Sequence, residues 1–243
     1  MDLGLAGKSA LVTASSRGLG RATALALAGE GARVAICARG EDSLRAAADE
    51  IRSLGGEVLS LTADVTEAAA PGRLVDATVD AFGGLDVLVA NAGGPPPGRA
   101  LEVDDDALAS AINANLLTSI RLVRAAVPHM RTSGWGRICL ITSSFVKQPD
   151  PGLSLSNTAR TGLWAWAKTA AVDVFPQGIT MNLACPGLHA TDRTKDLGLV
   201  PGDAAVGDPS DFGKVVAFLC SEAAGFITGS AILIDGGRTR GLL

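Results

Sequence analysis

Short apolar runs alternate with longer runs of helical periodicity from end to end of this chain, and few folds accommodate that order. Strands are predicted at 9–13, 33–37, 58–61, 87–90, 137–142, 179–184 and 231–235. Between them lie helical stretches. One covers 18–30, is rich in Ala and Leu, and is closed by Gly31. Leu44, Ala47, Ile51 and Leu54 then recur at helical spacing before a Gly55-Gly56 stop. Further helices are predicted over 73–82 after a Pro71-Gly72 break, from Asp104-Asp105-Asp106 onward, over 156–175 and over 211–221. The three carboxylates complement the positive end of the helix they open, and Leu108, Ala111, Ile112, Leu116, Leu122, Val123 and Ala126 form its apolar stripe. Strict β–α alternation implies parallel strands joined by right-handed crossovers. The expected fold is α/β: a single doubly wound, Rossmann-type domain over 1–243, with a mainly parallel sheet of about seven strands and helices on both faces. A composition of 47% hydrophobic and 19% charged residues fits such a sheet, whose strands are apolar all round.

The same composition excludes several classes. The net charge is −4 with both signs interspersed, so there is no basic footprint for nucleic acid. No uncharged apolar run approaches the ~20 residues that cross a bilayer. The first residues, Met1-Asp2-Leu3-Gly4, do not read as a signal peptide. Cys37, Cys139, Cys185 and Cys220 are scattered in or beside apolar stretches, so they are expected to be reduced packing residues of a cytoplasmic protein. No cluster of ligand-type residues suggests a metal. No repeat or linker divides the chain. Residues 93–98 read as a stiff Gly/Pro loop, and 188–209, rich in Gly, Asp and Pro, as a substrate lid.

In a doubly wound sheet, ligands sit beyond the carboxyl ends of the strands, so the residues after each strand carry the functional information. The first strand runs into Thr13-Ala14-Ser15-Ser16-Arg17-Gly18-Leu19-Gly20, which opens a helix. Small residues there let backbone approach a pyrophosphate, and the helix start supplies N–H donors. Asp64-Val65 ends the third strand and Asn91-Ala92-Gly93 the fourth. Asn115 lies mid-helix, Ser143 follows the fifth strand, Pro186-Gly187-Leu188-His189-Ala190-Thr191 follows the sixth, and Asp235-Gly236-Gly237 the last.

In that order and spacing, these segments resemble the short-chain dehydrogenase/reductase family, nearest its 3-oxoacyl-carrier-protein reductase type, over essentially the whole chain. The resemblance implies a nicotinamide cofactor. It implies that residues 13–20, Asp64, Val65, Asn91, Ala92, Gly93, Pro186, Gly187 and Thr191 bind it, and that Asn115 and Ser143 belong to the active site. Family members are commonly dimers or tetramers, so a homo-oligomer is expected. Ala14 departs from the pattern, standing where the family has its first Gly; its methyl group disfavours φ > 0. The second strand ends in Cys37-Ala38-Arg39, with no acid for a ribose 2′-hydroxyl. Arg17 and Arg39 are instead suited to a 2′-phosphate, so NADP(H) is expected over NAD(H).

The larger departure is chemical. The chain contains no tyrosine. In the resembling family a tyrosine, four residues before a lysine, moves the proton. Aligning Thr161-Gly162-Leu163 with the family's A-G-L places Ser156 on the tyrosine and Arg160 on the lysine, and the step from Ser143 to Ser156 agrees. A shift of one would put Asn157 on the tyrosine. An aliphatic hydroxyl is a far weaker acid than a phenol, and arginine stays protonated. Ser143 could still donate to a carbonyl oxygen, and Arg160 could hold the nicotinamide ribose and stabilise developing negative charge. His189 is a candidate acid, with a hydrogen-bonded loop histidine as the alternative. Lys147 reads as a solvated lysine or a pocket residue, His129 as structural, and Trp164 and Trp166 as packing or interface residues. Three functions stay open: an NADP(H)-dependent oxidoreductase acting on a ketone or secondary alcohol, non-redox chemistry on the same scaffold, and a non-catalytic cofactor-binding protein.

Overall fold

Seven strands form one parallel sheet, in the order β3-β2-β1-β4-β5-β6-β7. They are β1 (Ser9–Val12), β2 (Arg33–Ala38), β3 (Val58–Thr62), β4 (Val87–Ala90), β5 (Gly136–Ile141), β6 (Ile179–Pro186) and β7 (Ala231–Ile234). The helices are α1 (Gly18–Gly29), α2 (Glu41–Ser53), α3 (Ala70–Phe82), α4 (Asp105–Ile112), α5 (Thr118–Ser133), α6 (Ser154–Val174), α7 (Asp192–Asp196) and α8 (Pro209–Leu219). The computed structural model describes residues 1–196 and 206–242.

Two apolar cores flank the sheet. One gathers Leu74, Leu122, Met130, Leu163 and Ala171 of α3, α5 and α6. The other gathers Leu27, Leu44, Ile51, Phe212 and Val216 of α1, α2 and α8. Between them β1, β4, β5 and β6 are buried along their whole length, the arrangement that their unbroken apolar runs require. All four cysteines are free and buried in these layers. Among the described residues no helix is long and apolar enough to cross a membrane.

Several boundaries differ from expectation, each for a local reason. Pro71 does not precede α3 but sits in its first turn, where its missing N–H costs nothing. The single long helix expected from Asp104 is divided. α4 and α5 are joined by a π-helical turn, Asn113–Leu117, which the apolar periodicity does not signal. Asp104 caps α4, its carboxylate accepting from the Ala107 N–H at 2.8 Å. The expected lid contains the short α7, and residues 188–190 and 207 pair through a β-bridge. The middle of that lid, 197–205, lies outside the described residues, as does Leu243.

The strand order reverses between β1 and β4, and there the chain is stitched together. The Thr13 hydroxyl donates to the Asn91 carbonyl at 2.7 Å, and the Asn91 side-chain amide donates to the Ala14 carbonyl at 3.1 Å. A cleft of about 940 Å³ opens above this point.

Candidate active site

The turn after β1 is built for a close neighbour. Gly18 has φ +59°, and Ala14 has φ +48°, a left-handed value rare for a residue with a side chain. A Cβ on Gly20 would lie 2.5 Å from the Ala14 carbonyl oxygen and 2.7 Å from the Asn91 amide nitrogen, so only glycine fits. α1 begins without a side-chain cap and without an acidic residue in its first turn. Its positive end therefore faces the cleft uncompensated, which suits a pyrophosphate. Ala14, Ser16, Arg17, Gly18 and Leu19 line the cleft. Thr13, Ser15 and Gly20 do not. Thr13 ties β1 to β4, the Ser15 hydroxyl donates to the Val12 carbonyl at 2.7 Å, and Gly20 is the close-packing position. These three support the turn from behind the cleft wall.

Beyond β2, Ala38, Arg39, Gly40 and Ser43 line the same cleft. Arg39 is 79% exposed at its side chain, 4.0 Å from the Asp64 carboxylate. Asp64 accepts from the Thr66 N–H at 2.9 Å and from its hydroxyl at 2.7 Å. These hydrogen bonds, aided weakly by Arg39, hold its pKa below the usual 3.8. Val65, Asn91, Ala92 and Gly93 continue the wall.

At the other end stand Asn115, Ser143, Ser156 and Arg160, all lining the cleft. Asn115 sits in the π-helical turn. It is buried, its amide is 3.5 Å from the Ala111 carbonyl, and its Oδ1 has no partner among the described residues. That turn is pinned by residues the sequence reading passed over. The Asn113 amide donates to the Thr66 carbonyl at 3.0 Å, Arg121 donates to Asn113 Oδ1 at 2.7 Å, and the Thr118 hydroxyl donates to the Val65 carbonyl at 3.2 Å. Ser143 accepts from the Phe145 N–H at 3.3 Å, leaving its own hydroxyl hydrogen for another acceptor. Ser156 lies on α6, one turn before Arg160.

Arg160 is only 7% exposed. Its Nη1 donates to the carbonyls of Ile141 at 2.9 Å and Thr142 at 3.2 Å, at the end of β5. Burial, then the nearby charge of Arg193, lowers its pKa to about 10, so it remains a cation at neutral pH. Arg193, another residue absent from the sequence reading, reaches from α7 to donate to the Pro95 carbonyl. Nothing in its local sequence distinguishes it from a surface arginine.

The loop after β6 is locked from below. A Cβ on Gly187 would lie 2.7 Å from Asp235, whose carboxylate accepts from the N–H groups of Gly237 and Thr239. Pro186, Gly187 and Thr191 line the cleft, and Thr191 lies over Gly18. His189 also lines it, but is 5% exposed, with its ring edge against Phe212 and Nδ1 3.2 Å from the Gly187 carbonyl. Its packing is that of a loop anchor, the alternative reading of this histidine. Lys147 does not line the cleft; its ammonium lies 5.6 Å over the Trp164 ring. Trp164 and Trp166 pack against the core, and His129 sits in α5 away from the site. Among the described residues no three His, Cys, Asp or Glu side chains converge to hold a metal.

Comparison with known proteins decides the family. A family model described as Enoyl-(Acyl carrier protein) reductase matches residues 13–239. The chain belongs to the short-chain dehydrogenase/reductase family. It is similar to human Dehydrogenase/reductase SDR family member 4, 34% identical over 247 residues that cover 96% of this chain and 88% of the relative. It is equally similar to a 3-oxoacyl-[acyl-carrier-protein] reductase of Synechocystis, 34% over 240 residues, covering 96% and 97%. Among solved structures it resembles L-sorbose reductase from Gluconobacter frateurii complexed with NADPH and L-sorbose, with a TM-score of 0.94, 32% identity and full coverage of both chains. The similar proteins are oxidoreductases, and the present chain shares their single parallel-sheet domain.

Proposed function

We propose that this protein is an NADP(H)-dependent oxidoreductase acting on a ketone or its secondary alcohol, with Ser156 and Arg160 standing where the family keeps tyrosine and lysine. The residues present fit the nucleotide. The uncapped start of α1, the close-approach glycine and the open wall of Ala38, Gly40 and Ser43 supply room and donors. Arg17 at the head of α1 and Arg39 at the end of β2 favour a 2′-phosphate, since Cys37-Ala38-Arg39 carries no acidic side chain to hold a ribose diol. Bound there, the nicotinamide would supply or accept two electrons at the reacting carbon.

The protein's own part is positioning and charge. The free hydroxyl hydrogen of Ser143 can be donated to the substrate oxygen. Arg160, a permanent cation at the floor of the cleft, stabilises negative charge that develops there but passes on no proton. Ser156 is too short and too weakly acidic to replace a phenol, so the proton comes from water admitted by the wide cleft. The buried, uncompensated Arg160 carries this reading, because it offers electrostatic stabilisation where the acid is missing. The exposed Leu101, Leu117, Val172 and Phe226 support a homo-oligomer, dimer or tetramer, which light scattering tests.

The test is turnover. Purified protein with NADPH and a panel of keto esters, quinones and linear ketones is expected to consume the nicotinamide absorbance with matching alcohol formation. If NADPH binds but its absorbance falls with none of the panel substrates, a cofactor-binding protein without reductase activity is left.

A further inference from the structure

Two arginines converge on the reacting end of the cleft, and the function above uses only one. Arg160 spends Nη1 on two backbone carbonyls, while its Nε and Nη2 have no hydrogen-bond partner among the described residues. The charge acting on it is that of Arg193; the neighbouring Cys185 is held as a neutral thiol by burial, and no carboxylate acts on it among the described residues. Arg193 lies flat along Gly94, whose Cβ, were there one, would meet Nη2 and Nε at 3.2 and 3.3 Å, and it too donates only to a carbonyl.

The acids of the cleft are elsewhere engaged or outward. Asp64 faces Arg39 at the β2–β3 end. Asp192 pairs with Lys195 at 3.8 Å, both largely exposed, and Asp196 is exposed at the rim. The reacting end therefore holds two guanidinium groups that repel each other, satisfied in part by neutral acceptors and, among the described residues, balanced by no close anion. A ribose hydroxyl would use a free donor of Arg160 but cancel none of its charge. A carboxylate would do both, because its two oxygens match the planar fork of a guanidinium.

We propose that the substrate is a carboxylate-bearing carbonyl compound, a keto acid or the corresponding hydroxy acid, whose carboxylate sits between Arg160 at the floor and Arg193 at the mouth. This rests on the oxidoreductase reading. Its balance is that of any carbonyl reduction: the carbonyl carbon gains a hydride and its oxygen a proton from water, the C=O π bond breaks, and NADPH is oxidised to NADP⁺. The carboxylate takes no part in that exchange. It fixes which carbonyl is presented, and Arg193 is a specificity-determining residue.

The probes are 2-oxobutanoate, 4-oxopentanoate and 5-oxohexanoate, each beside its methyl ester. With NADPH, at least one acid is expected to exceed its ester in kcat/KM by roughly tenfold or more. Arg193→Gln should raise the KM for that acid by roughly tenfold or more while kcat and the ester change little, with Arg193→Lys recovering part of the loss. Calorimetry gives a readout independent of turnover: the acid should bind the NADP⁺ complex of the wild type and bind that of Arg193→Gln much more weakly. Esters turned over as well as acids, or no heat with any acid while NADP⁺ binds, would overturn the carboxylate site and leave the cofactor reading standing. Failure to bind either reduced nucleotide would remove the oxidoreductase reading itself, and this inference with it.

Discussion

Ala14 holds a backbone conformation that its side chain opposes. At φ +48° its Cβ crowds the following peptide, a cost of about 1–2 kcal/mol for an L-residue, whereas glycine pays mainly in unfolded-state entropy. Ala14→Gly is therefore expected to raise stability by about 0.5–1 kcal/mol, read by urea unfolding. An unchanged or lower midpoint would mean that the turn carries no strain. Gly20→Ala should do the reverse, losing about 2 kcal/mol or more, because the new methyl meets the Ala14 carbonyl and the Asn91 amide head-on. Asp64 adds a pH dependence. Its folded pKa lies below 3.8 because Thr66 donates to the carboxylate, so its contribution to stability is present above that pH and lost as pH falls through the folded value. The stability gap between wild type and Asp64→Asn should hold constant from pH 7 to about 5 and narrow below 3.8. A gap that widens on acidification would reverse the assigned sign.

The element that separates sequence from structure most clearly is the π-helical turn between α4 and α5. Leu108, Ala111, Ile112 and Leu116 read as one unbroken stripe, and nothing local marks the extra residue. The turn is imposed from outside, by Asn113 and Thr118 holding the Val65-Thr66 backbone. Strands such as β4 and β6 were legible because burial on both faces demands continuous apolar runs, and the nucleotide turn because backbone geometry demands small residues in order. Arg193 and the buried role of His189 were not, since both depend on which loop packs against which. The turn leaves Asn115 Oδ1 buried and unpartnered, a cost of about 1–3 kcal/mol that a purely structural position would not retain. Asn115→Leu, which keeps the branched heavy-atom skeleton of the side chain, should leave stability unchanged or raise it by up to about 1 kcal/mol. Under the proposed function it should also cut turnover, by roughly 10²-fold. A destabilised variant with normal turnover would make Asn115 a packing residue instead.

At the scale of the molecule, the sheet order brings the ends of six separate segments to one cleft, so a nucleotide held there as proposed would join β1, β2, β4 and β6 to one another. A ligand that binds only the folded state stabilises it by RT ln(1 + [L]/Kd), about 2.7 kcal/mol at one hundred times Kd. For a chain of this size that corresponds to a rise in Tm of about 5–10 °C. The proposed cofactor preference then predicts a larger rise with NADPH than with NADH at equal concentration. It also predicts which residue carries the difference. Arg39 is mostly exposed and only loosely paired with Asp64, so Arg39→Ala should leave the Tm of the free protein nearly unchanged. The same substitution should bring the NADPH-induced rise down toward the NADH value, because the lost guanidinium recognises only the 2′-phosphate. Equal shifts with the two nucleotides in the wild type would sink the NADP(H) preference. A larger shift with NADPH that survives Arg39→Ala would move the 2′-phosphate contact to Arg17, which also borders the cleft and stands at the head of α1.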